Sequence, residues 1–484
     1  MKKNPVFILL FLAAVPVLAF AQQPKMELQA LSDSSLTLQQ CVETAINNNL
    51  DVLQSQLELQ TAKINWNQAR LNQLPDLGAT AASGINTGRS IDPFSNAYSN
   101  ETINYSSYNL SSGVVLFNGG ALRNLAKQNQ LGYEAARMDW QQAKDNVTID
   151  VILAYLEVLR SEDLLRQSIQ QAELSLKQVE RLEILNSEGA VKPTDLYDLR
   201  GQYANDKLSI ITATNSLGTA KVALCRLMNV QYRSDLNLQR IDDVEFAESY
   251  EGTPAQIYDE TLKEFALVKA VDLRKQSALR GVRANRSALF PTLSLNGGIG
   301  TQYSSAARNN VFVNTTEVPS ENYVLVGGTP YNLVVKQDNF NQQKIAYNKQ
   351  LNNNLSNSIS LNLRIPIFGN WQQRNRIKLA EVQLKNAEFV QKTTVTQLQQ
   401  SVEQAHLNLV AASNRFHTLT EQLNAYREFF RASEILFNEG VGTSIDYLTA
   451  KNKLDQSNIN SIVARYDYVL RTKVLDYYRG RKLW

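Results

Sequence analysis

Two stretches of the chain carry the same pattern: LNSEGAVKPTDLYDL at 185–199 and LFNEGVGTSIDYLTA at 436–450. Each contains Glu-Gly followed, at the same distance, by Asp. Glycine adopts the left-handed conformation that ends many helices, and Asp is favourable in the first turn of the next helix. The pattern therefore predicts two helix–turn–helix tips, one in each half. The matching pairs are Leu185 with Leu436, Glu188 with Glu439, Gly189 with Gly440, and Asp195 with Asp446.

The repetition extends outward from these two stretches. LFNGG (116–120) matches IFGNW (367–371) at the same offset as the tips, whereas LPDLGA (74–79) matches FPTLSL (290–295) at a smaller offset. The second half is therefore longer between these two motifs, and the Asn-rich segment 302–358 contains the extra length. A structural unit that occurs twice, with one elongated loop in its second copy, explains these matches.

A very long helix is predicted before each tip. Residues 371–437 contain neither Pro nor Gly, and apolar residues alternate at spacings of four and three from Leu398 to Phe430. The matching stretch 121–188 shows a similar seam. This spacing is typical of helices that pack as coiled coils, and each helix would be about 100 Å long.

A second helix is predicted after each tip, at 194–228 and 444–479, with Thr194 and Ser444 as N-caps. Each long helix and its follower then form an antiparallel hairpin. Two further helices are predicted upstream of the strands, and a Pro stops each of them. They span 38–73 and 255–289.

The hydrophobic period changes to two in the segments 77–87, 106–116, 293–300 and 359–367. Strands of about 10 residues with one apolar and one polar face are typical of outer-membrane barrels. An ordinary soluble sheet with one buried face has the same pattern, so both interpretations stay open. The residues predicted to face lipid are Leu293, Leu295, Ile299, Leu361, Leu363 and Ile365.

Four strands cannot close a barrel, since about eight is the minimum. An open sheet would expose its edges, which lipid does not tolerate. If these strands lie in a membrane, several chains must therefore share one barrel. Two chains would supply eight strands and three would supply twelve, and strand number alone does not choose between them.

Residues 1–21 are typical of a secretory signal peptide: Lys2-Lys3, an apolar run containing Pro16, and the cleavage pattern Ala19-Phe20-Ala21. The protein is therefore expected to be exported. Of 484 residues, 49 are Lys or Arg and 46 are Asp or Glu, so the formal net charge is only +3. That balance disfavours a nucleic-acid binder, and a mean hydropathy of −0.30 disfavours a bundle of membrane helices.

The chain contains little material for catalytic chemistry. It has two His and two Cys, no catalytic constellation and no nucleotide-binding motif, so we expect no enzyme activity, metal or cofactor. His406 and His417 are expected to be surface or packing residues. Cys41 and Cys225 either form a disulfide or serve as small core residues, and the sequence leaves this open.

The order signal peptide, helix pair, strand pair, long helix and Gly-tipped hairpin, followed by a second such set, resembles the TolC family of outer-membrane efflux channels. The tips EGAVKPTDL and EGVGTSIDYL carry the resemblance, with the Pro and Phe motifs quoted above. It covers essentially the whole mature chain. It implies a mainly α fold with a small β part, in which a homotrimer forms a long antiparallel α-helical barrel and a shared 12-stranded transmembrane β-barrel.

Two structural repeats follow the signal peptide in this interpretation. The first, 22–254, contains a strand pair at about 77–117, a long hairpin at about 119–228 and a linker or equatorial segment at about 229–254. The second, 255–484, contains a helix, a strand pair at about 291–368 with the outer loop 302–358, and a long hairpin at about 371–479.

The resemblance implies a passive exit duct in the outer membrane, with its helical barrel in the periplasm. Such a duct joins a periplasmic adaptor and, through it, an inner-membrane pump, and it exports small molecules. The implied partners are further copies of the chain, the adaptor, the pump and outer-membrane lipid, with no nucleic acid. Two alternatives remain: the exit channel of a type I protein-secretion system, and a soluble periplasmic coiled-coil scaffold.

The resemblance also implies roles for the tips. The adaptor would contact Gly189, Pro193, Gly440 and Gly442. The acids of the periplasmic entrance would be Asp446, Asp195 and Asp198. Asp446 aligns with the first acid of the family's entrance ring, whereas the second acid is replaced by Thr449 and a basic residue of the closed-state lock by Gly442. Alternatively, Asp195 and Asp446 merely favour a helix start.

Overall fold

The structure is a computed structural model that describes residues 35–91, 96, 98–100, 102–240 and 250–481. The predicted signal peptide and residues 241–249 of the predicted linker lie outside the described residues. Helices dominate and strands are few, as predicted. The helices are α1 (Leu38–Asn48), α2 (Leu50–Leu71), α3 (Ala121–Ser187), α4 (Pro193–Met228), α5 (Pro254–Glu264), α6 (Ala266–Ser287), α7 (Tyr347–Asn353), α8 (Gln372–Asn438) and α9 (Ser444–Tyr478).

The strands form one four-stranded sheet and two separate ribbons. They are β1 (Gly78–Asn86), β2 (Ser90–Ile91), β3 (Tyr98–Ser99), β4 (Ile103–Phe117), β5 (Thr292–Ser304), β6 (Arg308–Val326), β7 (Thr329–Lys344) and β8 (Ser356–Arg364). The sheet has the antiparallel order β1-β4-β5-β8, so it joins the strand pairs of the two halves. The ribbons are β2–β3 and β6–β7.

The upstream segments 38–73 and 255–289 are helical as predicted, but each consists of two helices instead of one. Asn49 separates α1 from α2, and its side-chain oxygen accepts hydrogen bonds from backbone N–H groups in the first turn of α2. Phe265 separates α5 from α6 in an extended conformation, and its ring packs edge-on against Tyr477 with centroids 5.6 Å apart. A cap and a packing contact thus override the continuous helical pattern.

The central sheet has one apolar and one polar face. Five of the six residues predicted to face lipid lie on the apolar face, because opposite residues of paired strands share a face and side chains alternate along each strand. Their exposure to lipid remains a prediction. The facing pairs are Leu293 with Leu363, Leu295 with Leu361 and Ile299 with Leu110 on the apolar face, and Ser294 with Asn362 and Asn296 with Ser360 on the polar face.

Ile365, the sixth predicted residue, lies one position beyond β8, so its predicted place in the strand is wrong, while its exposure to lipid remains a prediction. β8 ends at Arg364. Pro366 follows Ile365, lacks the N–H that a ladder needs and restricts the conformation of the residue before it. The alternation of apolar residues continues in the sequence after the ladder has ended.

Segment 302–358 was expected to be a loop, but most of it is regular structure. β6 and β7 pair over almost their whole length, and α7 follows them. Gly327 and Gly328 turn the ribbon with φ of 66° and 89°, as a two-residue hairpin turn with both φ values positive requires. The Asn-rich composition concealed a hairpin whose signal is the Gly-Gly pair between Val-rich runs.

The two long helices confirm the heptad prediction. α3 and α8 are each 67 residues long. In α8 the seam residues Leu398, Val402 and Leu409 are buried against α5 and α9, and Phe416 stacks on Tyr468 with ring centroids 6.2 Å apart. The coiled-coil seam therefore supplies the core of the second hairpin.

A second apolar stripe behaves differently in the two long helices. In α3, Leu156 and Leu159 are buried among α1, α4 and α9. In α8, the matching stripe residues Leu407 and Val410 are 64% and 45% exposed. α3 therefore has neighbours on both sides, whereas α8 has an unpartnered apolar flank.

The main core lies where the N-terminal helices meet the first hairpin. Cys41 and Cys225 are both free and buried in this core. Burial, followed by the nearby Cys225, raises the pKa of Cys41 to about 12, so its thiol stays protonated. Leu36 pairs with Leu238 in a parallel bridge, and the Tyr155 hydroxyl donates to the Leu36 carbonyl (3.1 Å). The segment after α4 thus returns to the N-terminal segment.

A buried ionic cluster joins the two hairpins. The Lys451 ammonium on α9 is fully buried and lies 3.0 Å from Asp206 Oδ2 on α4 and 2.6 Å from Asp455 Oδ2. Ser175 on α3 also donates to Asp206 Oδ2, and Gln202 donates to Oδ1 (2.8 Å). Burial raises the pKa of Asp455 despite the neighbouring lysine.

We predict that Lys451→Met lowers the free energy of unfolding by about 3–5 kcal/mol, because two buried carboxylates lose their cation. Thermal unfolding of the detergent-purified protein, followed by circular dichroism, measures the loss. The control is Lys385→Met on α8, where the side chain is exposed and has no bonded partner among the described residues. Equal stability of the two variants would contradict a structural role for the cluster.

Candidate functional site at the helix tips

The backbone follows the same course at both tips. Gly189 and Gly440 each have φ of 73°. The N–H after each glycine donates to the carbonyl five residues back, from Ala190 to Leu185 (2.8 Å) and from Val441 to Leu436 (3.0 Å). This is the Schellman arrangement that ends a helix with a left-handed residue. The predicted role of the two glycines as helix ends is confirmed.

The predicted N-caps are each misplaced. α4 starts at Pro193, whose ring fixes a helical φ, so Thr194 is already inside the helix and Lys192 is the N-cap. α9 starts at Ser444, and its N-cap is Thr443, whose hydroxyl accepts the Asp446 N–H at 3.1 Å.

Side-chain bonds bring the two tips together. Ser444 Oγ donates to Asp195 Oδ1 at 2.8 Å, which joins the start of α9 to the start of α4. Arg181 near the end of α3 donates to the Asn438 carbonyl at 2.6 Å, which joins the ends of the two long helices. The seven residues predicted at the adaptor contact and entrance therefore lie on two adjacent turns or in the first two helical turns that follow them.

A small apolar core supports these turns. Tyr447 lies at its centre, with the Phe437 ring stacked at 4.8 Å and the Phe430 ring at 5.6 Å between centroids. Leu182 and Leu199 complete the core from the first hairpin. Burial raises the pKa of the Tyr447 hydroxyl, so it remains neutral. The tips are thus held on a packed base.

The three predicted acids differ in their surroundings. Asp195 is half-buried and holds Ser444, whereas Asp198 and Asp446 are exposed. Asp446 Oδ2 accepts the Thr443 hydroxyl at 2.7 Å. Asp195 therefore has a structural partner, while Asp446 combines a helix-start position with a solvent-facing carboxylate.

The second tip has a steric reason for Gly442. A Cβ at this position would lie 3.2 Å from the Phe437 backbone nitrogen, a tight contact that would require the neighbouring backbone to shift slightly. Beside it, Val441 and Ile445 are 77% and 69% exposed. The tip therefore presents apolar side chains to its surroundings on a closely packed turn.

The sequence predictions missed the charged groups that stabilise this end of the molecule. Lys451 lies directly beside the apolar position Ala450, and Asp455 follows it by one helical turn. A Lys–Asp pair inside an otherwise apolar stripe was the available signal. Asp206 and Arg181 had no such signal, because their partners come from other helices.

No helix within the described ranges is long and apolar enough to cross a membrane. The same residues include no group of three or more His, Cys, Asp or Glu side chains placed to hold a metal ion. A cavity of about 690 Å³ lies among α2, α3 and α6.

Comparisons with known proteins agree on one family. The model of the family described as outer membrane efflux protein matches residues 41–230 and 257–478. The outer membrane protein TolC of Vibrio cholerae is 24% identical over 401 residues, which span 82% of this chain and 80% of that protein. The probable outer membrane lipoprotein SilC of Salmonella typhimurium is 21% identical over 422 residues, spanning 85% and 78%.

Solved structures show the same fold. The outer membrane protein VceC of Vibrio cholerae superposes with a TM-score of 0.73 at 15% identity, over 92% of this chain and 97% of that chain. CusC gives a TM-score of 0.73 at 15% identity, over 92% of each chain. The chain belongs to the outer membrane efflux protein family and is an outer-membrane protein whose helical part lies in the periplasm.

Proposed function

We propose that three copies of this chain form a passive exit channel that accepts small molecules from a periplasmic adaptor and an inner-membrane pump. The observation that carries the proposal is that the subunit has two unpartnered edges in its sheet and two unpartnered flanks in its helical layer. The channel itself carries out no reaction. The pump supplies the energy for transport. The helical tips are the contact with the adaptor.

The sheet ends in two open strands. β1 and β8 each pair on one side within the four-stranded sheet. Unpaired backbone N–H and C=O groups cost several kcal/mol each in hydrocarbon, so these edges need partners. β8 of one subunit and β1 of the next supply them, and the apolar faces then form one continuous outer surface.

The helical layer also has two open flanks, one on α4 and one on α8. On α4, Leu208 and Ile211 are 61% and 66% exposed, and α8 exposes Leu407 and Val410. The two flanks lie on different helices, so their association is head to tail and closes into a ring. Burying these side chains contributes on the order of 1.5–3 kcal/mol each.

Pore width favours three subunits over two. An eight-stranded barrel has an interior that side chains fill, whereas larger barrels leave a lumen. Two copies of the sheet would therefore give a barrel without a useful duct, and three copies give twelve strands. The channel needs that lumen to release its substrates.

The tips fit the adaptor contact. Gly189, Pro193, Gly440 and Gly442 lie on the two adjacent turns, and the exposed Val441 and Ile445 offer apolar surface there. Partner helices could pack on such a surface. A relative in Pseudomonas putida is named as the probable efflux pump outer membrane protein SepC, which favours efflux over protein secretion.

We predict that the detergent-extracted protein has three times the mass of the protomer, measured by light scattering corrected for detergent. Ile211→Asp is expected to reduce the trimer, because it places a charge in the subunit boundary. Thr212→Asp, which adds the same charge at an already polar neighbouring position on α4, serves as the control. A stable monomer of the unaltered chain would refute the shared barrel.

We also predict that Asp446→Asn lowers cation selectivity in planar bilayers and weakens block by multivalent cations by about three- to tenfold. Three Asp446 carboxylates near the pore mouth would concentrate cations. Asp259→Asn on α5, also an exposed Asp, is the control and should leave both properties unchanged. If the two variants behave alike, Asp446 only favours the start of α9.

A further inference from the structure

The cavity among α2, α3 and α6 is lined by cations. Its wall includes Arg70 from α2, Arg123 and Lys127 from α3, and Arg280 from α6. Among the described residues, no acidic side chain belongs to this wall. At about 690 Å³ the cavity is large enough for a small charged group, and four like charges around it create a strongly positive site.

These cations are not neutralised within the described part of the chain. Arg123 and Arg280 have neither an ion pair nor a side-chain hydrogen bond to any described residue, and Arg70 only stacks over the Trp66 ring at 5.4 Å. Lys127 donates to the Gln130 amide oxygen at 3.1 Å. Gathering unpaired like charges is unfavourable, so the cavity is electrostatically suited to an anion.

Two other arginines on α6 form ion pairs with acidic residues. Arg274 is paired with Asp139, and Arg286 lies 2.7 Å from Glu381. Arg280 lies between them in the sequence but faces the cavity without a carboxylate. Arg280 therefore differs from Arg274 and Arg286 in that it lies beside other cations instead of a carboxylate.

The cavity lies where the strands give way to the helices. Gly120, which lines it, is the N-cap of α3, and β4 ends at Phe117 just before. In an outer-membrane channel this level is the periplasmic surface of the bilayer. Trp66, which also lines the cavity and stacks on Tyr133 at 5.4 Å, is a residue type that favours that interface.

We infer that this cavity binds a phosphate group, and that the headgroup of an anionic phospholipid in the periplasmic leaflet supplies it. Arginine suits this role because its planar fork donates two hydrogen bonds to phosphate oxygens. The choice of lipid as the source rests on the proposed function, whereas the choice of a phosphate anion rests on the cavity itself. Free phosphate has the same chemistry and is separated from lipid by experiment.

The test compares two double variants with equal changes in charge. Arg123→Gln with Arg280→Gln removes two cations from the cavity. Arg137→Gln with Arg283→Gln removes two exposed cations from the same helices outside it. Each trimer is purified in detergent doped with phosphatidylglycerol, and native mass spectrometry counts the retained lipid. A parallel titration with inorganic phosphate follows thermal stability.

We expect the unaltered protein and the control variant to retain phosphatidylglycerol, and the cavity variant to bind it at least about tenfold more weakly. Equal retention by both variants overturns the inference. Protection by inorganic phosphate alone, lost in the cavity variant, supports the anion site and overturns the lipid source. Conductance in planar bilayers tests the channel separately, so failure of that function is distinguishable from failure of this site.

Discussion

The structure depends on one constraint: a sheet of four strands cannot satisfy the hydrogen bonds of its own edges. In water the N–H and C=O groups of β1 and β8 could bond to solvent, but in hydrocarbon each would remain unpaired at a cost of several kcal/mol. The proposed shared barrel would meet this need with copies of the same sheet. In the proposed trimer, the exposed apolar residues of α4 and α8 would also lie at subunit boundaries.

Local sequence specified the features that depend on one or two residues. Gly189 and Gly440 ended their helices as expected, because a left-handed residue is a local requirement. The heptad seams predicted α3 and α8 closely, because the pattern persists over many turns. The N-caps were wrong by one or two positions, since Pro193 starts its helix before the expected cap and Thr443 has the better-placed hydroxyl.

Features that depend on distant contacts could not be predicted. The break at Phe265 reflects packing against Tyr477, which lies at the other end of the chain. The buried Lys451 could be suspected from its place beside an apolar stripe, but its partner Asp206 comes from another hairpin. The β6–β7 ribbon was hidden by its Asn-rich composition, which usually marks loops.

Because the chain has two matching halves, the apolar stripe of α3 can be compared directly with that of α8, which lacks a neighbouring helix on one side. α3 and α8 have equal lengths and similar apolar stripes, but Leu156 is buried in α3 while its counterpart Leu407 remains exposed in α8. The difference arises from position. α3 has helices on both sides within the subunit, whereas α8 lies at the edge of the subunit. In the first half, the stripe of α3 packs against α4. The similar stripe of α8 in the second half therefore has the residues to pack against α4 of the next subunit. Ring closure would then give α8 the environment that α3 already has.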